Sequence, residues 1–183
     1  MKIKKIAAFI LFLLSVLLSA QENKTVVTQV NENGVTFTIP TVLDSKDIVA
    51  IKEASGNLSQ IAEIKNLCGD ELNIYSGNDD QITPILSVGG IGVISVLSNI
   101  APEYTHNIVE DFLSGNIEKS IKSQVNAIPI IKALFCEVNP IPVKAALNML
   151  GYKVGVPRLP LVEMTEIGKE KMKKELIEFG LLK

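Results

Sequence analysis

One stretch of this 183-residue chain offers residues suited to covalent chemistry. Ile48-Val49-Ala50-Ile51 is an apolar run, and Lys52 closes it ahead of the polar Glu53-Ala54-Ser55-Gly56. Four apolar residues, mostly β-branched, suit a short strand covered on both faces. An ammonium drawn out of water without a partner tends to shed its proton. A neutral amine can attack a ketone and form a Schiff base, so Lys52 is a candidate nucleophile. The alternative is a lysine that snorkels into solvent from the end of its strand. Two further groups fit the same chemistry. Ser76-Gly77-Asn78-Asp79-Asp80 is one, and Ile94-Ser95 with Ser98-Asn99 is the other. An amine, small glycine-bearing turns and backbone carbonyls suit a small keto acid. Gly77 and Gly92 are expected to let a ligand approach the backbone closely, although ordinary turns have the same composition.

Other chemistries find little support. His106 is the single histidine and reads as a surface residue of its helix, so no Ser/His/Asp set is available. Cys68 and Cys136 lie far apart and match no metal-binding spacing. No metal and no cofactor is expected. Gly89-Gly90-Ile91-Gly92 is too short for a phosphate loop and precedes a strand instead of following one. A net charge of -2 leaves no basic footprint for nucleic acid, and the absence of Trp removes a stacking platform.

The candidate groups need strand ends to hold them. From Asp44 onward, apolar strands alternate with helix-spaced segments. The strand ending at Lys52 is followed by a helix from Leu58 to Leu67. Leu72 to Gly77 is a second strand, followed by a helix from Gln81 to Val88 with Asp79 or Asp80 as its cap. Gly92 to Leu97 is a third strand, followed by a helix from Ala101 to Leu113. Such βα units of 20 to 25 residues imply parallel strands with helical crossovers. In that architecture functional groups sit at the C-terminal ends of strands. The remainder reads as helical: Ile117 to Phe135 with a break at Pro129, Pro142 to Leu150, and Thr165 to Phe179.

The start of the chain differs. Lys2, Lys4 and Lys5 precede an apolar run from Ile6 to Leu18, then Ser19-Ala20. This is the layout of a secretory signal peptide, with an uncleaved membrane anchor as the alternative. Residues 24–39 hold two β-rich runs around Asn33-Gly34, a hairpin signal, with Pro40 ending the second. Four segments are expected: 1–20, 21–47, 48–115 and 116–183.

Four motifs occur in order: Ile51-Lys52-Glu53-Ala54-Ser55-Gly56-Asn57, Ser76-Gly77-Asn78-Asp79, Gly89-Gly90-Ile91-Gly92-Val93-Ile94-Ser95-Val96 and Asn139-Pro140-Ile141-Pro142-Val143-Lys144. Together with Arg158-Leu159-Pro160-Leu161 they resemble the C-terminal half of the dihydrodipicolinate synthase family, over about residues 48–183. The Asn139–Lys144 stretch separates this family from the related N-acetylneuraminate lyases, which remain an alternative. The resemblance implies an α/β fold, part of a (β/α)8 TIM barrel made of its last three βα units and followed by C-terminal helices. It implies condensation of pyruvate with aspartate semialdehyde in lysine biosynthesis. It makes Lys52 the Schiff-base lysine and Ile94 the residue whose backbone carbonyl contacts pyruvate, with Gly77, Asn78 and Ser95 lining the site. It also implies a homo-oligomer in the cytoplasm, whereas residues 1–20 point to export or a membrane. Five βα units are expected before Lys52 in this family, and the residues between Ala20 and Ile48 are too few to hold them. The family's threonine-rich carboxylate loop, its proton-relay tyrosines and its semialdehyde-binding arginine have no counterpart here. Two further readings therefore stand beside the enzyme: a non-catalytic form that associates with full-length subunits, and an exported binding protein.

Overall fold

The computed structural model describes residues 26–32, 35–41 and 48–183. The signal-like segment 1–20 lies outside them. The chain divides into two units, residues 1–51 with 63–73 and residues 52–62 with 74–183.

In the first unit, β1 (Val26–Glu32) and β2 (Val35–Thr41) pair antiparallel, from Val26 opposite Thr41 to Glu32 opposite Val35. The two residues between them are the Asn-Gly pair that signals such a hairpin. Pro40 does not end β2, as the sequence suggests, but sits opposite Val27. Both strands of a two-stranded ribbon are edges, where a missing N–H is tolerated. In the same unit Asn73 donates from its backbone N and its Nδ2 to the Val49 carbonyl, at 3.0 and 3.1 Å. Lys65 Nζ donates to the Gly69 carbonyl at 2.8 Å and to Asp70 Oδ1 at 2.7 Å. That hydrogen bond holds the Asp70 carboxyl below its ordinary range.

The second unit carries the strand ends. β3 (Ala50–Glu53), β4 (Asn73–Ser76) and β5 (Gly92–Val93) lie in the order β3-β4-β5. β4 and β5 are parallel. The bonds Asn73 N to Val49 O and Gly77 N to Glu53 O advance in the same direction along β3 and β4, so these are parallel too. Parallel neighbours require crossovers, and helices supply them. α1 (Leu58–Cys68) follows β3, capped by Asn57 Oδ1, which accepts from Ser59 N at 3.1 Å and Gln60 N at 3.3 Å. α2 (Ile82–Ser87) follows β4, and α3 (Pro102–Leu113) follows β5. The strand–helix alternation makes this an α/β fold.

Two expectations fail here for one reason. The third strand was expected to reach Leu97, and Asp79 or Asp80 to cap α2. Neither aspartate caps α2. The Asp79 carboxylate instead accepts from Val96 N at 2.9 Å and Leu97 N at 3.0 Å. Those amides are thereby taken from any further sheet ladder. The chain turns at Leu97–Asn99, and β5 keeps two residues.

The C-terminal part is helical, as expected. α4 (Ile117–Asn126) and α5 (Ile128–Leu134) meet at Ala127, with Pro129 in the first turn of α5. α6 (Ile141–Met149) has Pro142 near its start. α7 (Glu166–Glu178) is capped by Thr165, whose Oγ1 accepts from Gly168 N at 3.1 Å. Leu97, Ile130, Leu134, Ala146, Met172 and Leu176 form the main core. Each fully buried Leu, Ile or Met side chain among these contributes about 1.5–3 kcal/mol. Ile82, Leu86 and Ile108 form a smaller cluster between α2 and α3. No helix among the described residues is long and apolar enough to cross a membrane.

Candidate active site

The candidate residues sit where β3, β4 and β5 end. Lys52 is near the end of β3 and its side chain is exposed. The expectation of a strand covered on both faces fails around it, since Val49 is 63% exposed. β3 is an end strand of the three-stranded sheet, so it has a sheet neighbour on one side.

The residue after Lys52 turns the other way. Glu53 is buried, and its Oε1 accepts from Ser55 N at 2.5 Å. Ser55 Oγ then accepts from Asn57 N at 3.1 Å, and Asn57 caps α1. A relay of side-chain acceptors and backbone donors thus fixes the turn between Lys52 and its helix. The sequence placed Glu53 in the strand-end group but gave no sign of this role.

Gly77 follows β4, and its N donates to the Glu53 carbonyl at 2.7 Å. A Cβ at this position would stand 2.7 Å from Ala54 Cβ and 3.1 Å from Lys52 Cε. The absent side chain therefore makes room for Lys52 and Ala54. At Gly92 the neighbour is the Tyr75 ring, 3.1 Å from where a Cβ would sit. At both glycines, protein side chains occupy the space a Cβ would need.

Asn78 follows Gly77. Its N donates to Ser76 Oγ at 3.2 Å, and its carbonyl accepts from the same hydroxyl at 2.7 Å. Its Nδ2 reaches Gln81 Oε1 at 3.4 Å, and Gln81 Nε2 reaches the Gly56 carbonyl at 3.4 Å. Ile94 N donates to the Ser76 carbonyl at 2.8 Å, which sets the end of β5 beside β4. No hydrogen bond among the described residues ends on the Ile94 carbonyl. Ser95 holds the next turn, accepting from Ser98 N at 2.8 Å through Oγ.

Sequence reasoning put Asp79 in the strand-end group and offered it as a helix cap, but missed the lock it forms and the part of Gln124 in it. Asp79 is buried, and its carboxylate ties the turn after Ile94 and Ser95 to the turn after β4. Gln124 on α4 is also buried, donating from Nε2 to the Asp79 carbonyl at 2.9 Å and accepting at Oε1 from Thr83 N at 3.3 Å. A glutamine inside an apolar-periodic segment was the one visible hint. Asp79 Oδ1 has no hydrogen-bond partner among the described residues.

Two open clefts lie in this unit. One, of about 300 Å³, is lined by Tyr75, Gly92, Val93, Ser95 and His106 among others. The other, of about 320 Å³, lies at α6 and includes Lys144, Asn148 and Lys169. Lys52 lines neither. His106 is exposed on α3, as read from the sequence. Cys68 and Cys136 are free, and no group able to hold a metal ion occurs among the described residues.

Lys52 thus stands near the end of a strand in a parallel three-stranded sheet, with the ends of two further strands following in the same sheet. The model of the dihydrodipicolinate synthetase family matches residues 15–178, and the chain belongs to that family. The 4-hydroxy-tetrahydrodipicolinate synthase of Caldicellulosiruptor bescii is 64% identical over 135 residues, 74% of this chain and 45% of the relative. The dihydrodipicolinate synthase structure from Thermotoga maritima superposes with a TM-score of 0.72 at 44% identity, over 76% of this chain and 48% of that one. The pyruvate complex of the Acinetobacter baumannii enzyme gives a TM-score of 0.71 at 29% identity, over 74% of this chain and 47% of that one. The chain spans about half the length of the curated relatives it matches. The three-stranded α/β fold thus corresponds to part of the family's barrel.

Proposed function

We propose that this chain carries the nucleophilic half of a 4-hydroxy-tetrahydrodipicolinate synthase. The observation that carries the reading is Lys52 at the end of a parallel strand in a chain of this family. In this reading the Lys52 amine attacks the ketone carbon of pyruvate, and water leaves to give a Schiff base. Loss of a methyl proton then gives an enamine that adds to the aldehyde of aspartate semialdehyde. The Ile94 carbonyl contacts bound pyruvate, while Gly77, Asn78 and Ser95 line the site. The pyruvate complex of the Acinetobacter baumannii enzyme supports pyruvate as the first substrate. Lysine biosynthesis, a cytoplasmic setting and a homo-oligomer belong to the same reading.

A second reading draws on the half-length match. Here the chain is a non-catalytic partner that associates with full-length subunits.

Solvent exchange separates the two. A working Schiff base turns into an enamine and back, so the methyl protons of pyruvate exchange with deuterium in heavy water. The chain alone is expected to accelerate that exchange, read by proton NMR, and Lys52→Arg to abolish it. No acceleration by folded chain overturns the enzymatic reading. Copurification with a full-length synthase then supports the second.

A further inference from the structure

The parallel ladder between β4 and β5 ends unevenly. Its last rung is Ile94 N donating to the Ser76 carbonyl at 2.8 Å. With Ser76 opposite Val93, the next two rungs of such a ladder would run from Asn78 N to the Ile94 carbonyl and from Val96 N to the Asn78 carbonyl. Neither forms, because side chains take three of the four groups. Ser76 is fully buried, and its Oγ accepts from Asn78 N at 3.2 Å and donates to the Asn78 carbonyl at 2.7 Å. Asp79 Oδ2 accepts from Val96 N at 2.9 Å. The fourth group, the Ile94 carbonyl, receives no hydrogen bond among the described residues. Backbone carbonyls at a sheet are ordinarily paired. A strand end that satisfies every neighbouring group and spares this one holds an acceptor open.

We propose that Ser76 is a positioning residue for the Lys52 reaction: its hydroxyl keeps the Asn78 amide off the Ile94 carbonyl, so that this oxygen stays free for bound pyruvate. Such a role rests on the Schiff-base reading of Lys52 and Ile94, and it names the group that makes the carbonyl available. Ser76 is buried and acts through the Asn78 peptide. With alanine at 76, Asn78 N loses its acceptor. An N–H without a partner is costly, and the acceptor that the ladder offers it is the Ile94 carbonyl. The missing rung then closes over the oxygen that substrate needs. A free carbonyl oxygen carries partial negative charge. It favours a substrate atom bearing hydrogen or positive charge, such as the protonated nitrogen of a Schiff base.

Two measurements on the full chain test this. NMR coupling through the hydrogen bond, between Asn78 N and the Ile94 carbonyl carbon, is expected to be absent from the wild type and to appear in Ser76→Ala. Borohydride trapping over a series of pyruvate concentrations is expected to show a half-saturating concentration raised about tenfold in Ser76→Ala, with a smaller change in the trapping rate at saturation. An ester in place of the amide linking Gly77 to Asn78 removes the competing N–H and leaves every side chain in place. In the Ser76→Ala background it is expected to bring the half-saturating concentration back toward the wild-type value. A merely structural Ser76 would lower stability without creating the coupling or moving the pyruvate dependence. Coupling already present in the wild type overturns the proposal, and that spectrum is read whether or not Ser76→Ala folds. No coupling in folded Ser76→Ala, an unmoved pyruvate dependence, or no recovery with the ester overturns it too. A wild type that captures no pyruvate overturns the Schiff-base reading instead, and the couplings still decide whether Ser76 governs the carbonyl.

Discussion

Lys52 lies over Gly77: its Cε stands 3.1 Å from the position a Cβ on residue 77 would take. The Glu53 carbonyl is 3.0 Å from that position and Ala54 Cβ 2.7 Å. A methyl group there must displace all three. Gly77→Ala is therefore expected to destabilise the chain by about 1–3 kcal/mol, as overpacking does. It is also expected to lower the rate at which Lys52 captures pyruvate by more than the stability loss explains. Urea unfolding and adduct formation, measured on the same folded sample, check the two effects separately.

Asp79 holds the turn that follows Ile94 and Ser95. Removing its carboxylate leaves the amides of Val96 and Leu97 without their acceptor. Each unsatisfied buried group costs about 1–3 kcal/mol. Asp79→Ala is expected to fall at or above that range, whereas Asp79→Asn, which keeps one acceptor oxygen, is expected to lose less. Denaturant midpoints at constant slope check this order.

Gln124 reaches across from α4 to the Asp79 carbonyl and to Thr83 N. Gln124→Leu is close in size, so its effect isolates the hydrogen bonds. A loss of about 1–3 kcal/mol is expected from the two buried backbone groups left unpaired. Hydrogen exchange is expected to rise first at Thr83.

The pH dependence follows from groups that hold their proton more tightly when folded. Burial raises the Tyr104 phenol above its ordinary value, and its Oη donates to the Ser123 carbonyl at 2.8 Å. The hydrogen bond to Glu166 raises the Lys169 ammonium likewise, though that pair is exposed and contributes little. A raised folded pKa stabilises below the unfolded value and is lost as pH rises through the folded one. Stability is therefore expected to be level through neutral pH and to fall above about pH 10. Tyr104→Phe is expected to cost about 0.5–1.5 kcal/mol at neutral pH and to flatten that alkaline fall. Thermal melts of both proteins as a function of pH check the sign.

The periodic elements were legible because their signals are local. Leu58, Ile61, Ile64 and Leu67 mark α1 at helical spacing, Asn33-Gly34 marks the hairpin, and Pro129 marks the α4–α5 break. What was not legible depends on contacts far apart in sequence. β5 keeps two residues while the Asp79 carboxylate takes the amides of Val96 and Leu97, seventeen and eighteen positions further on, and nothing in Gly92 to Leu97 announces that. Pro40 reads as a terminator until its place on an edge is known. The site divides in the same way. Lys52, Gly77, Asn78, Ile94 and Ser95 are candidates from strand ends and a resemblance, whereas the lock that joins Asp79 to Val96, Leu97 and Gln124 emerges only once side chains meet.

In the proposed reaction Lys52 itself forms the bond to substrate. Borohydride reduction of the chain in the presence of pyruvate, followed by peptide mapping, tests it most directly. A single stable carboxyethyl adduct on Lys52 is expected, absent without pyruvate and absent from Lys52→Arg. An unmodified Lys52 in folded protein, or adducts scattered over the exposed lysines with no preference for residue 52, contradicts it.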